Sequence, residues 1–184
     1  MKVLNVYELI PLIEDIFPGK KVRDSYWYVQ KTLYYIKAGM MHSTGNDCIE
    51  GDFEKWEFGP VNREAYLKQS EKEKIDPPSE DILRKAGLSS DLIRDLAEFL
   101  KEKFPEGGPI RQEHCVHSEG TAWDAAEERN DVLDITIFGE EEFESAFVKY
   151  LEERLRQDTL RMQEAAWERL LPSLKAGNGL KATG

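Results

Sequence analysis

Four stretches of the chain place apolar residues at helical spacing, and Pro, Gly or polar residues mark the breaks between them. Val6, Leu9, Ile10, Ile13, Ile16 and Phe17 predict a first helix from about Val6 to Phe17, with Asn5 as its N-cap and Pro18-Gly19 as its stop. Val29, Leu33, Ile36 and Met40 form a stripe at i, i+4, i+7 and i+11, so a second helix is expected from near Asp24. Gly39 and the polar stretch from Ser43 to Asn46 are expected to end it. Leu92, Ile93, Leu96, Phe99 and Leu100 share one face of a third helix, capped by Ser89 or Ser90 and closed by Pro105 and Gly107-Gly108-Pro109. From Glu140 onward, Phe143, Phe147, Tyr150, Leu151, Leu155, Met162, Ala166, Trp167 and Leu170 recur with no Gly or Pro before Pro172. That pattern predicts a helix of about 30 residues, roughly 45 Å long.

The segments between are shorter. Phe53, Trp56 and Phe58 are separated by charged residues, which predicts a small irregular or β element near 47–58. Gly59-Pro60 then reads as the start of a short helix running through Val61 and Tyr66. The charged stretch from Ser70 to Ser79, with Pro77 and Pro78, reads as a surface loop, and Thr121 to Arg129 as another helical piece holding Trp123 and Ala126. The expected fold is all-α or nearly so. A compact helical domain is expected over residues 1–151, a C-terminal helical extension over 152–172 and a disordered Gly-, Lys- and Ala-rich tail over 173–184.

A chain of 184 residues buries enough surface to fold without a disulfide or metal staple. Two cysteines, Cys48 and Cys115, make no disulfide framework. Asn5, Glu8, Glu14 and Asp15 interrupt the early apolar residues, so no signal peptide and no membrane span is expected, and the cytoplasm is the expected compartment. Thirty-six acidic against 25 basic residues give a net charge of −11, which repels phosphate backbones and attracts basic proteins. Nucleic acid is therefore not the expected partner. The longest basic stretch is only Lys20, Lys21 and Arg23, and the helix from Val6 to Phe17 offers no basic recognition face for a DNA-binding autoregulator.

Candidate chemistry is sparse. His42, His114 and His117 are the only histidines, and the spacing His114-Cys115-x-His117 matches no standard zinc-ligand pair. Adjacency of Cys115 and His114 does not place a base on the thiol. Gly107-Gly108-Pro109 lacks the strand, lysine and helix of a phosphate loop, and Glu140-Glu141-Glu142 reads as a favourable first helical turn. No metal, no cofactor and no catalytic residue is expected; the chain reads as a binding protein and not as an enzyme.

Two stretches stand out once the helices are placed. One is Val29-Gln30-Lys31-Thr32-Leu33-Tyr34-Tyr35, followed by Phe53-Glu54-Lys55-Trp56-Glu57-Phe58-Gly59-Pro60-Val61 and Tyr66; the other is His117-Ser118-Glu119-Gly120-Thr121-Ala122-Trp123. Together they resemble the Panacea domain, found also in SocA-like proteolytic adaptors and GepA-like phage and mobile-element proteins. The resemblance rests on Gln30, Lys31, Leu33, Tyr34, Trp56, Gly59, Pro60, Val61, Tyr66, His117, Glu119 and Trp123, and spans roughly Val3 to Leu151. Thr32, Lys55, Phe58 and Val116 stand where the family pattern has Leu, Ala, Tyr and Thr; an extra residue separates His117 from Trp123, with Ala122 in place of Pro.

The resemblance implies a helical antitoxin of a bacterial or phage toxin–antitoxin pair, which neutralises its cognate toxin, a small alarmone synthetase among the candidates, by direct protein contact. The alternative it implies is an adaptor that delivers the toxin to a AAA+ protease. Read by themselves, Trp56, Phe58, Tyr66 and Trp123 are large aromatics that favour burial, and Gly59-Pro60 is a turn. Gln30 and Lys31 are expected to hydrogen-bond the Trp56 turn to the helix. These motif residues are therefore read mainly as scaffold. The stripe of Leu155, Met162, Trp167, Leu170 and Leu171 lies beyond the resemblance and needs a burial site: its own domain, a second copy in a homodimer, or a basic toxin. The intermolecular site is the favoured expectation.

Overall fold

The computed structural model describes residues 4–17, 22–72, 74–105 and 117–177, without the side chains of 22–24 and 173–177. It is mostly helical, with two small sheets. Two units divide the chain, Met1–Leu151 and Glu152–Gly184.

The first unit is organised around one helix. After strand β1 (Leu4–Asn5), a 3-10 turn at Val6–Leu9 leads into the short helix α1 (Ile10–Glu14). The Glu8 carboxylate accepts from the Asn5 backbone N–H at 2.8 Å, so the expected start at Asn5 is found, though the first turn is tighter than an α-helix. Helix α2 (Val22–Thr44) follows. It was expected to bury one stripe, yet every residue from Trp27 to Met40 is buried. Buried polar side chains on its other faces, Gln30, Lys31, Thr32 and Lys37, hide the helix's interior position from a pattern-based reading. Gly39 does not end α2; it lies inside it and lets the helix approach Phe147 and Leu151 closely.

Strand β2 (Ile49–Glu50) pairs in parallel with β1, Leu4 opposite Ile49. Strands β3 (Glu54–Trp56) and β4 (Gly59–Val61) form an antiparallel hairpin in which Trp56 faces Gly59 and Lys55 faces Pro60. Gly59 and Pro60 thus belong to a strand and not to the start of a helix. A proline without an N–H is tolerated in a two-stranded hairpin, and Gly59 supplies the φ of +93° that the turn requires. The helix starts three residues later, as α3 (Arg63–Ser70), because the Asn62 side chain caps it by accepting from Ala65 N at 2.8 Å.

Helices α4 (Glu80–Lys85) and α5 (Ser90–Lys103) come next, α5 being capped by Ser89, whose hydroxyl accepts from Leu92 N at 3.1 Å. Leu92, Ile93, Leu96, Ala97 and Leu100 are its buried face. Helix α2 packs against α1, α3, α5 and β4. The helical piece expected over Thr121 to Arg129 is a single turn, α6 (Ala122–Ala125). The chain beyond it turns back against the hairpin: Lys55 N donates to Asp131 O at 2.8 Å and Asn130 N to Lys55 O at 2.7 Å.

Helix α7 runs from Glu142 to Gly177. Its first ten residues close the core of the first unit with Phe147, Val148 and Leu151, and the rest belongs to the second unit. The helix continues through Pro172, past the expected stop, for five residues of the stretch expected to be disordered. Residues 178–184 of that tail lie outside the described residues, as do His114 and Cys115. Among the described residues no helix is long and apolar enough to cross a membrane.

Candidate functional site

The polar pair on α2 reaches the hairpin. The Lys31 ammonium donates to the Pro60 carbonyl at 2.8 Å, and the Gln30 carboxamide oxygen accepts from Asn62 N at 2.9 Å. Asn62 also donates through Nδ2 to the Asp52 carbonyl at 2.7 Å. One buried asparagine therefore links helix α2, the chain entering the hairpin and the first turn of α3. The hydrogen bonds expected between the Gln30-Lys31 pair and the Trp56 turn are present, but Asn62 was not singled out in the sequence. Its signal was the ordinary one of a cap residue before a helix.

The second motif docks on the same hairpin. Trp123 Nε1 donates to the Trp56 carbonyl at 2.8 Å, and the His117 ring stacks on the Trp123 ring with centroids 3.7 Å apart. Lys55 places its ammonium 4.2 Å from the centre of the Trp123 ring and donates to the Ala126 carbonyl at 2.6 Å. It thereby clamps Trp123 by a cation–π contact and fixes the following turn. Burial, with Lys31 and Lys55 nearby, pushes His117 down to about 4, so the ring is neutral at physiological pH.

The motif residues differ in exposure: Tyr34 is buried, as the scaffold reading expects, Tyr66 and Trp123 are half-buried, and Phe58 and Glu119 are exposed. Trp56 is half-buried, with its indole N–H on the Glu54 carboxylate at 2.9 Å and its ring 5.3 Å from that of Tyr66. Phe58, in the two-residue turn between β3 and β4, is 45% exposed. Tyr34 lies in the core, edge-on to Phe53 and Phe138, and not in the cluster around the hairpin. Glu119 is exposed. The structure brings Gln30, Lys31, Trp56, Gly59, Pro60, Val61, Tyr66, His117 and Trp123 into one region.

Beside that region lies a cavity of about 610 Å³, opening between the N-terminal half of α2 and the hairpin, with Tyr26, Trp27 and Gln30 on one side and Trp56, Phe58 and Tyr66 on the other. Trp27 lies about 120° off the predicted stripe of α2, whereas Tyr26 lies on it, one turn before Val29, and was not singled out.

In the second unit most of the candidate apolar stripe is exposed. Met162, Trp167 and Leu170 are more than half exposed, at 56, 59 and 53%, while Leu155 is half-buried. Leu160 and Leu171 are exposed as well, and Leu160, Trp167 and Leu171 recur at i, i+7 and i+11 on one face. Among the described residues no three His, Cys, Asp or Glu side chains converge as metal ligands would. Cys48 is buried, and burial pushes its thiol up to about 12, which suits packing and not nucleophilic chemistry. No family model, curated protein or solved structure matches the chain.

Proposed function

We propose that the protein is an antitoxin that binds its cognate protein toxin directly and occludes it. The observation that carries this reading is the second unit, a helix that leaves Leu160, Met162, Trp167, Leu170 and Leu171 exposed. Exposed apolar side chains at this density on one helix favour a partner, and Trp and Met are enriched where proteins meet. The net charge of −11 selects for a basic partner and accelerates encounter with it. The ordered motifs around Gln30, Trp56 and Trp123 support the same reading through their resemblance to the Panacea domain, whose members neutralise toxins in the cytoplasm.

The test is co-expression with the product of the adjacent small open reading frame. Rescue of growth together with co-purification of the two proteins is the expected result, and loss of both on Trp167→Ala with an unchanged melting curve assigns the helix as the contact. Growth rescue accompanied by protease-dependent disappearance of the neighbour identifies an adaptor instead. An adjacent product that is harmless alone and does not co-purify overturns the antitoxin reading.

A further inference from the structure

The cavity between α2 and the hairpin is walled by aromatic rings. Tyr26 and Trp27 from α2, Trp56 and Phe58 from the hairpin and Tyr66 from α3 all line it, and the Tyr66 ring lies 5.7 Å from that of Tyr26 and 5.3 Å from that of Trp56. Phe58 is 45% exposed, whereas Trp27 and Val61 are buried, so the apolar lining runs from the interior out to the rim. Its volume of about 610 Å³ falls within the ~300–1,000 Å³ over which protein cavities take drug-sized ligands. Flat rings are best covered by another flat ring, through offset or edge-on stacking.

Charge decides which kind of ring. An aromatic cage without fixed charge favours a cation, but the same lining carries Lys31 and Arg129 against the single carboxylate of Glu57. Arg129 is exposed and, among the described residues, has no hydrogen bond, ion pair or ring contact, the Glu57 carboxylate included. Lys31 is buried on the Pro60 carbonyl, and its charge is felt at a distance: after burial, Lys31 and Lys55 hold His117 well below the usual imidazole range. A buried ammonium acts through a low dielectric, so it attracts an anion in the cavity without touching it. The net charge of −11 is spread over the chain and is screened beyond about 8–10 Å at physiological salt, so the charges on the lining, and not the total, decide what enters. The same two cations repel a basic polypeptide, which sets this site apart from the contact on the C-terminal helix.

We propose that this cavity is a small-molecule site for a planar aromatic anion, whose ring system stacks among Tyr26, Trp56 and Tyr66 and whose carboxylate or other oxyanion lies at the rim against Arg129. A guanidinium matches such groups with two parallel hydrogen bonds. Phe58, exposed in the free protein, is covered when the site fills. The inference goes beyond the protein-binding reading and does not depend on it, because the cavity lies within the first unit and the proposed toxin contact in the second.

The probes are indole-3-acetate, indole-3-acetamide and tryptamine, one ring system carrying an anion, a neutral amide and a cation, with cyclohexylacetate as an anion that lacks an aromatic ring. Each is titrated into the full-length ¹⁵N-labelled protein. The chain has four tryptophans; Trp27 and Trp56 line the cavity and Trp167 does not, so their indole N–H signals report where a probe sits. Indole-3-acetate is expected to move the Trp56 signal to saturation, to leave that of Trp167 in place, and to bind about fivefold more tightly than indole-3-acetamide. Tryptamine and cyclohexylacetate are each expected to bind more weakly than indole-3-acetate by at least that factor. Arg129→Gln, at an exposed position, is expected to bring indole-3-acetate down to the affinity of the amide and to leave the amide unchanged. Phe58→Ala, also at an exposed position, is expected to weaken both alike. Tightest binding by tryptamine, equal binding of indole-3-acetate and its amide, equal binding of indole-3-acetate and cyclohexylacetate, or no movement of Trp56 at millimolar probe each overturns the proposal. So does an Arg129→Gln protein that keeps the parent's preference for the anion.

Discussion

Glu144 is buried in the first turn of α7, and its carboxylate accepts from Gly139 N at 2.9 Å. Burial, reinforced by Glu141, outweighs that hydrogen bond and raises its pKa to about 7. The folded state therefore holds this proton more tightly than the unfolded chain, so the contribution is favourable below about pH 4.5 and is lost as the pH rises through 7. His117 has the opposite sign: its pKa is depressed to about 4, so its contribution is present above about pH 6.5 and is lost as the pH falls towards 4. The two partly cancel between pH 4 and 7, and single substitutions separate them. Glu144→Gln is expected to gain on the order of 3 kcal/mol relative to the parent at pH 8 over its value at pH 4, read from denaturant melts at both pH values. Proton NMR of the His117 ring is expected to show a titration midpoint near 4. A midpoint near 6.5 means that the ring is solvated and that its stacking on Trp123 is absent in solution.

At the scale of elements, two residues show how the surroundings decide an outcome that helix propensity alone gets wrong. Alanine is the better helix former, so Gly→Ala in an exposed helix interior gains about 1 kcal/mol. At Gly39 an added Cβ lies 2.9 Å from Phe147 Cε1 and 3.0 Å from Leu151 Cδ2, both in the packed core where α2 meets the start of α7. Gly39→Ala is therefore expected to destabilise the protein by about 1–3 kcal/mol, as overpacking does, and an unchanged or raised melting temperature contradicts the close approach. Asn62 is the second case. It caps α3, holds the Asp52 carbonyl and gives its own N–H to Gln30, so Asn62→Ala costs more than an ordinary cap. A loss of about 2 kcal/mol or more by chemical denaturation is expected, with Asn62→Asp recovering the cap but not the donor to Asp52.

For the molecule as a whole, the boundary at Leu151 separates a unit with its own core from a helix whose large apolar residues are exposed. A chain ending at Leu155 is expected to melt cooperatively within a few degrees of the parent and to lose binding to its partner. Insoluble or unfolded product shows instead that the helix supplies core, and the exposure of Trp167 is then not a property of the protein in solution. Self-association belongs to the same test: sedimentation of full-length and Trp167→Ala protein distinguishes a second copy from a different partner.

The chain by itself determined the mostly helical class, the caps at Asn5 and Ser89, the apolar face of α5 and the long last helix, because each depends on neighbours within a turn or two. The short aromatic stretch near 47–58 was legible as non-helical for the same reason: its alternation of Phe, Trp and charge does not fit a 3.6-residue period. What only the tertiary structure decided lies in contacts between distant segments. Helix α2 is interior from Trp27 to Met40, with Lys31, Lys37 and the Gln30 carboxamide oxygen satisfied by carbonyl, carboxylate and amide groups that come from residues 47–62. A pattern of polar and apolar positions assigns such residues to solvent. Pro60 became a strand residue because β3 was there to pair with it, and Phe58, in the turn between the two strands, is exposed. The cavity under the hairpin, with Trp27 and Gln30 in its floor, exists only when α2, β3, β4 and α3 come together, and no local spacing encodes it.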